Sequence, residues 1–268
     1  MKVIRLLAVL LGFCCFTTSL ASIDDSYKNI QAKGKLVIGL DETFAPMGFR
    51  DKNGQLVGFD IDLAKEVARR LKCKIVFQSC VWDSIFFELK NGTINAIWNG
   101  LTISKKRKTN ALFSKPYMTN NVVIVVKKNS PIKKLKDLQA KKIATQAGAP
   151  PADYIQNYQG PDLDPKKIKQ LVQYPDFLTA LYDLTKGGVD AVAVDEILAD
   201  YYITQKKLNI QKLPTVLATE QIGIAFRKTD VALRDKIQAT LDAMIKDGTA
   251  ANISKKWFGR DVFSINPT

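Results

Sequence analysis

The sequence predicts an α/β protein in which mainly parallel sheets are covered by helices. Strand and helix patterns alternate along most of the chain, which is typical of parallel sheets. A local repeat supports this, because residues 89–96 (LKNGTINA) match residues 184–191 (LTKGGVDA) as a helix, a glycine stop and a strand. The 268 residues, 46% of them hydrophobic, are enough for two cores. We therefore expect two similar α/β lobes, joined near residues 117–120.

The first half of the chain supplies one set of alternating elements. Residues 35–40 are a continuous apolar strand, and residues 59–71 carry apolar side chains at helical spacing. The elements predicted after them are a strand around residue 75, a helix over residues 82–90 and a strand over residues 94–98.

The second half repeats the alternation after a strongly β-branched strand at residues 122–126. Its predicted strands lie at residues 143–145, 168–172 and 190–194. Its predicted helices begin near residue 151 and cover residues 177–185 and 197–205. The tail adds a strand at residues 222–226 and a helix over residues 231–245.

The first 21 residues have the three parts of a secretory signal peptide. A basic start is followed by an uncharged apolar run at residues 6–16 and by small residues before the expected cleavage site after Ala21. The apolar run is shorter than the ~20 residues that a membrane span needs. Phe13 before Cys14 disfavours a lipoprotein site, so we expect an exported protein without an anchor.

Composition excludes several function classes. The chain contains no histidine, which removes Ser-His-Asp and Cys-His catalysis and any His-ligated metal site. The formal net charge is +14, but the basic residues are scattered in short runs without interleaved aromatic residues. We therefore expect a solvated basic surface rather than a nucleic-acid interface, and we expect no cofactor or metal.

Two cysteines remain beyond the signal segment, and the predicted strand between them keeps them apart. Cys73 and Cys80 flank an apolar stretch that would extend over about 23 Å as a strand. A disulfide requires Cα atoms within about 7 Å of each other. We therefore expect two free thiols.

Five segments together resemble the polar amino acid-binding proteins of bacterial ABC importers, solute-binding family 3. In order they are GLDETFAP (39–46), GFDIDLA (58–64), NGLTISKKR (99–107), DAVAVD (190–195) and KWFG (256–259). The resemblance covers essentially the whole chain after the signal segment. It implies the periplasmic-binding-protein fold, with one lobe at residues 22–118 plus 220–268, the other at 119–219, and two crossovers between them. It also implies a periplasmic monomer.

The resemblance assigns the groups that would bind the amino acid backbone. A free amino acid carries a carboxylate and an ammonium group, and burying either without a partner is costly. Arg107 matches the family's carboxylate-binding arginine, with Gly100 and Thr102 as its companions, and Asp195 matches the ammonium-binding acid. Considered alone, Arg107 would be a surface charge in a basic run and Asp195 would be a helix N-cap.

The remaining site residues follow from the same resemblance. Phe44 and Trp82 match an aromatic sandwich around the ligand side chain, although core packing is the ordinary role of such residues. Asp41 follows the first strand and matches an acid that reads the ligand side chain, and Asn99 adds a polar group next to the groups that bind the ligand carboxylate. Gln146 begins the second lobe's glycine loop, where relatives place a further side-chain contact.

That loop departs from the family pattern. It runs Gln-Ala-Gly-Ala-Pro-Pro over residues 146–151, where relatives usually have Gly-Thr. Proline has no N–H group and alanine no hydroxyl, so the loop has fewer donors for a ligand carboxylate. We expect affinity or ligand identity to differ from that of typical members.

The resemblance implies a receptor that captures a free L-amino acid between closing lobes and delivers it to an inner-membrane ABC permease. The ligand class follows from charge. With Arg107 positive and Asp41 and Asp195 negative, a cationic side chain balances the site, so we expect arginine before lysine, with glutamine as the alternative.

A secreted enzyme of the cyclohexadienyl dehydratase type is the alternative function, because that enzyme shares the fold. It carries a catalytic glutamate three positions after the matching aspartate, where this chain has Leu198. A sensor or adhesin lobe is a third class, since a fold alone does not set function.

Overall fold

Two five-stranded sheets flanked by helices form two lobes in the computed structural model, which describes residues 24–263. The strands are β1 (Lys35–Leu40), β2 (Thr43–Phe44), β3 (Gly48–Arg50), β4 (Leu56–Val57), β5 (Lys74–Ser79), β6 (Ala96–Ile97), β7 (Leu112–Phe113), β8 (Met118–Lys127), β9 (Lys142–Gln146), β10 (Gln170–Tyr174), β11 (Ala191–Asp195), β12 (Ile210–Ile222) and β13 (Ala225–Phe226). The helices are α1 (Ser26–Lys33), α2 (Phe59–Arg70), α3 (Ile85–Asn91), α4 (Lys105–Lys108), α5 (Pro151–Gln156), α6 (Phe177–Lys186), α7 (Glu196–Thr204), α8 (Val231–Lys246) and α9 (Thr249–Phe258).

The two sheets share one topology. The first has the order β5-β1-β6-β13-β7, and the second has the order β10-β9-β11-β8-β12. In each sheet the first three strands are parallel and the last two are antiparallel to their neighbours. The repeat found in the sequence ends on β6 and β11, which occupy the same third place in their sheets. The α/β class and the two-lobed fold are therefore confirmed.

Two long strands connect the lobes. β8 and β12 pair antiparallel, and the pairing begins where Met118 lies opposite Ile222. An isolated bridge from Thr102 to Ile222 joins this end of β12 to the first lobe. The chain therefore crosses between the lobes twice at one place.

Local sequence explains where the helices beside that space begin and end. The side chain of Asp176 accepts a hydrogen bond from the Thr179 N–H at 2.6 Å and caps α6, and Gly187 ends that helix with a φ of 91°. α2 has Asp62 in its first turn, where negative charge interacts favourably with the helix dipole.

Three predicted elements differ from the structure. The strand predicted at 168–172 lies two residues later, and the helix predicted at 82–90 starts with a 3-10 turn at Trp82–Ser84. The strand predicted at 222–226 is divided: β12 ends at Ile222, and only Ala225–Phe226 joins the first sheet as β13. The physical reason is that Gly223, between the two strands, donates its N–H to the Leu101 carbonyl of the first lobe. The chain passes from one lobe to the other at this point.

The structure bears on the prediction for the cysteines but not on the one for the signal segment. The signal segment and the cleavage site after Ala21 lie outside the described residues. β5 separates Cys73 from Cys80, and both are free thiols. Within residues 24–263, no helix has the length and hydropathy to cross a bilayer, and no group of three or more acidic or cysteine side chains is placed to hold a metal ion.

Candidate functional site

A narrow cavity lies between the lobes. It is found at the carboxyl ends of β1, β6, β9 and β11, which is where open α/β sheets bind ligands. Only about 10 Å³ of it is open to the centre of a water molecule, so the two lobes lie close together around it. The lining residues are Asp41, Phe44, Trp82, Asn99, Gly100, Thr102, Arg107, Gln146, Ala149, Pro150, Phe177 and Asp195.

The structure brings together all nine residues that the sequence predicted for the site. Three further lining residues, Ala149, Pro150 and Phe177, were not predicted. Phe177 is the first residue of α6 and follows a short polar turn, so its sequence pattern is that of an ordinary core residue. Only the approach of the two lobes places its ring 6.0 Å from that of Phe44.

Arg107 lies at the mouth of the cavity on the short helix α4, whose N-cap is Ser104. Its guanidinium donates to the Thr102 carbonyl at 3.1 Å and, across the cleft, to the Gly148 carbonyl at 3.0 Å. Its carbon Cζ is 5.8 Å from the centre of the Trp82 ring. Burial lowers the pKa of Arg107, and the nearby charges of Glu220 and Asp195 oppose this effect. The guanidinium remains charged because its normal pKa is above 12.

Two buried carboxyl groups act electrostatically on this guanidinium. Asp195 ends β11 and accepts a hydrogen bond from the Asn120 amide at 2.5 Å. It has the N-cap position of α7, but its side chain makes no capping bond. Burial, followed by repulsion from Glu220, raises the pKa of Asp195 well above its usual value. Burial likewise raises the pKa of Glu220.

A third buried carboxyl group lies in a separate electrostatic environment. Asp41 accepts hydrogen bonds from the Thr43 hydroxyl at 2.7 Å and, across the cleft, from the Gln146 amide at 2.8 Å. Burial raises the pKa of Asp41, and the neighbouring charge that raises it further is Asp176. Asn99 accepts from the Asp41 N–H at 3.1 Å, and its buried amide nitrogen has no partner among the described residues.

The loop at residues 146–151 presents the Gly148 carbonyl to the cleft, whereas two of its N–H groups are bonded elsewhere in the protein. The Ala147 N–H donates to the Tyr174 carbonyl at 2.8 Å, and the Ala149 N–H donates to the Gln146 carbonyl at 3.3 Å. Both groups are thus used within the protein, which agrees with the scarcity of donors predicted from the sequence.

A buried acid below the cavity shapes the segment that carries Gly100. Asp60 accepts from the Gly100 N–H at 2.7 Å and from the Tyr117 hydroxyl at 2.9 Å. Gly100 has a φ of 61°, and a Cβ atom there would lie 2.6 Å from the Phe44 ring. Its N–H group is therefore committed to the protein, and its carbonyl is the backbone group left for a ligand. Burial raises the pKa of Asp60 to about 7.

Asp60→Asn is expected to make stability less dependent on pH. The folded protein keeps a proton on Asp60 up to about pH 7, whereas the unfolded chain loses it near pH 4. This contribution to the free energy of unfolding therefore falls as pH rises between those values, by at most about 1.4 kcal/mol per unit. Urea unfolding at pH 4, 5.5 and 7 should show that the free energy of unfolding of the variant increases relative to that of the wild type as pH rises. Parallel curves would contradict the assignment.

The fold and the site define the class of the protein. Two α/β lobes joined by two crossovers, with a small cavity between them, are the architecture of a bilobed solute-binding protein. The profile of the family described as "Bacterial extracellular solute-binding proteins, family 3" matches residues 36–260. The chain belongs to this family.

Named relatives have the same character. The chain is 30% identical over 236 residues to the L-cystine-binding protein TcyJ of Escherichia coli K12, covering 87% of this chain and 86% of that protein. It is 31% identical over 232 residues to ABC transporter arginine-binding protein 1 of the same strain, covering 85% and 92%. A Streptococcus pneumoniae ABC uptake transporter substrate binding protein with bound histidine has a TM-score of 0.84 and 36% identity, covering 89% and 98%.

These findings separate a receptor from an enzyme. All three relatives are named as binding proteins, and the chain is a solute-binding protein rather than an enzyme. Leu198, which stands where the dehydratase alternative needs a glutamate, is fully buried and apolar.

Proposed function

We propose that the protein captures one free L-amino acid from the periplasm and delivers it to an inner-membrane ABC permease. The observation that carries this proposal is the placement of opposite charges around one small cavity. A guanidinium from the first lobe and a buried carboxylate from the second, Arg107 and Asp195, line the same space. An amino acid presents complementary groups, a carboxylate and an ammonium, a short distance apart.

The proposed binding mode uses backbone groups of residues 100–102 together with the side chains of Arg107 and Asp195. Thr102 and Ile222 form a bridge flanked by the bonds from Ile103 to Gln221 and from Gly223 to Leu101. Thr102 and Ile222 are therefore a non-hydrogen-bonded pair, in which the N–H and the carbonyl of Thr102 both point away from Ile222. The N–H of Thr102 thus lies on the same side as its carbonyl, which contacts Arg107. The ligand carboxylate would accept from this N–H and from the guanidinium fork. The ammonium group would donate to Asp195 and to the Gly100 carbonyl.

The proposed ligand is cationic, with arginine before lysine and glutamine as the alternative. Two buried acids, Asp41 and Asp195, line the cavity with one guanidinium, and Glu220 is a third buried acid that acts on that guanidinium from outside the lining. Glu220 was absent from the charge count made on the sequence, and including it strengthens the preference for a positive ligand. Phe44, Trp82 and Phe177 provide aromatic faces on which a guanidinium plane can stack.

A thermal-shift screen tests the proposed function and the ligand class together. The protein is unfolded and refolded to remove any retained ligand, then heated with each of the twenty amino acids and with cystine. L-arginine at about 100 times its dissociation constant should raise Tm by about 5–10 °C. A larger shift with glutamine or an acidic amino acid would refute the charge argument. No shift with any compound would refute amino acid capture.

We also propose that ligand binding closes the lobes, with residues 22–118 plus 220–268 moving against residues 119–219. The contacts that support this cross the cleft, such as Gln146 to Asp41 and Arg107 to Gly148. A ligand that touches both lobes favours the state in which both surfaces reach it.

Small-angle scattering measures this closure directly. The radius of gyration is expected to fall when L-arginine is added to the refolded, ligand-free protein, and the scattering should remain that of a monomer. An unchanged radius at a concentration that calorimetry shows to be saturating would contradict closure.

A further inference from the structure

Glu220 is a buried acid that links the two walls of the cleft, and none of the predicted site residues is its direct sequence neighbour. It lies near the end of β12, opposite Asn120 of β8. One carboxylate oxygen accepts from the Thr102 hydroxyl at 2.9 Å, and the other accepts from the Tyr154 hydroxyl at 2.7 Å. Thr102 belongs to the first lobe and Tyr154 to helix α5 of the second, so a single side chain contacts both.

The contact with Thr102 extends to the guanidinium. Glu220 holds the Thr102 side chain, while the carbonyl of the same residue accepts from Arg107 at 3.1 Å. The charge of Glu220 is also the largest of the influences that offset the effect of burial on Arg107. The position of the guanidinium therefore depends on Glu220, and the charge of Glu220 offsets part of the effect of burial on its pKa.

The second neighbour is Asp195. The Asn120 amide donates to Asp195, and Asn120 faces Glu220 in the β8–β12 ladder, so the two acids are close. The charged or titratable groups around them are Arg107 from α4 and Tyr154 from α5, with Asp153 acting on the same guanidinium. Repulsion between the acids is one reason why the pKa of Asp195 is raised.

We propose that Glu220 is a positioning residue of the binding site, which holds Thr102 and through it Arg107, and which acts electrostatically on Asp195. This inference rests on the proposed function, because Arg107 and Asp195 are assigned to the ligand's carboxylate and ammonium groups. Glu220 itself need not touch the ligand. Its effect is transmitted through one hydrogen-bonded neighbour and one neighbouring charge.

The test compares Glu220→Gln and Glu220→Asp with wild type by calorimetry with L-arginine between pH 4 and 8. Glutamine can keep both hydrogen bonds, since the hydroxyl groups rotate, but it removes the charge. We expect about ten-fold weaker binding at pH 7. Affinity should fall at low pH as Asp195 becomes protonated, and we call this part of the profile the acid limb. We expect the acid limb to move to lower pH by about one unit, because Asp195 loses a repelling neighbour.

Glu220→Asp separates charge from reach. The shorter side chain keeps the charge but loses contact with Thr102 or Tyr154, so affinity should fall while the acid limb stays near that of the wild type. Glu88→Gln on α3 is the matched control, and it should leave both quantities unchanged. Wild-type affinity together with an unshifted acid limb in Glu220→Gln would overturn the proposal.

A ligand-free measurement keeps the two proposals distinguishable. If the wild type binds no amino acid, the proposed function fails, and Glu220 is judged from unfolding alone. The raised pKa values of Asp195 and Glu220 make the free energy of unfolding of the wild type fall as pH rises above about 4. Glu220→Gln should weaken that decline. Unfolding curves that remain parallel to the wild type from pH 4 to 7 would overturn the electrostatic link.

Discussion

Arg107→Ala is expected to remove most of the affinity for the amino acid ligand. The guanidinium is half-buried between the lobes, and without it the ligand carboxylate would be buried with no cation to pair with. Truncating one partner of a buried charge pair typically costs about 2–5 kcal/mol, which is roughly 30-fold to several-thousand-fold in dissociation constant. Titration calorimetry with L-arginine measures the loss directly.

Two further variants separate the role of Arg107 from a general loss of positive charge. Arg107→Lys should restore only part of the affinity, because an ammonium group cannot reproduce the two-pronged contact. Lys108→Ala removes an exposed charge from the same short helix and should leave binding unchanged. Wild-type affinity in Arg107→Ala would show that the ligand carboxylate binds elsewhere.

Asp41→Asn should weaken arginine binding by about 30-fold or more and glutamine binding by only a few-fold. A guanidinium forms a charge-assisted pair with the carboxylate, whereas an amide N–H can donate almost equally well to asparagine. Asparagine retains the shape of the side chain, and Gln146 can turn its amide to accept from it. Calorimetry with both ligands gives the ratio of the two effects.

The control for this experiment is Asp235→Asn, an exposed acid on α8 outside the cleft. It should change neither affinity. If Asp41→Asn weakened arginine and glutamine equally, Asp41 would be needed for the shape of the site and would not read ligand charge.

The sequence was sufficient for the fold class, because the alternation of strands and helices is a local pattern, and the resemblance to the family assigned nine residues that line the cavity. Asp41, Gln146 and Asp195 each stand at or directly after the end of an apolar strand. Carboxyl ends of parallel strands meet at one edge of a sheet, so a polar residue there is directed to the ligand side whatever its distant neighbours are. The roles assigned to these residues stay predictions until the binding experiments are made.

The tertiary structure alone decided which distant residues complete the site. Glu220 lies in a polar stretch of β12, and nothing in its neighbourhood distinguishes it from a surface residue. Its burial follows from the register that places it opposite Asn120, one hundred residues earlier in the chain. Asp60 and Tyr154 reach their partners in the same non-local way. Strand register and lobe approach are set by the summed packing of both cores, so no short stretch of sequence encodes them.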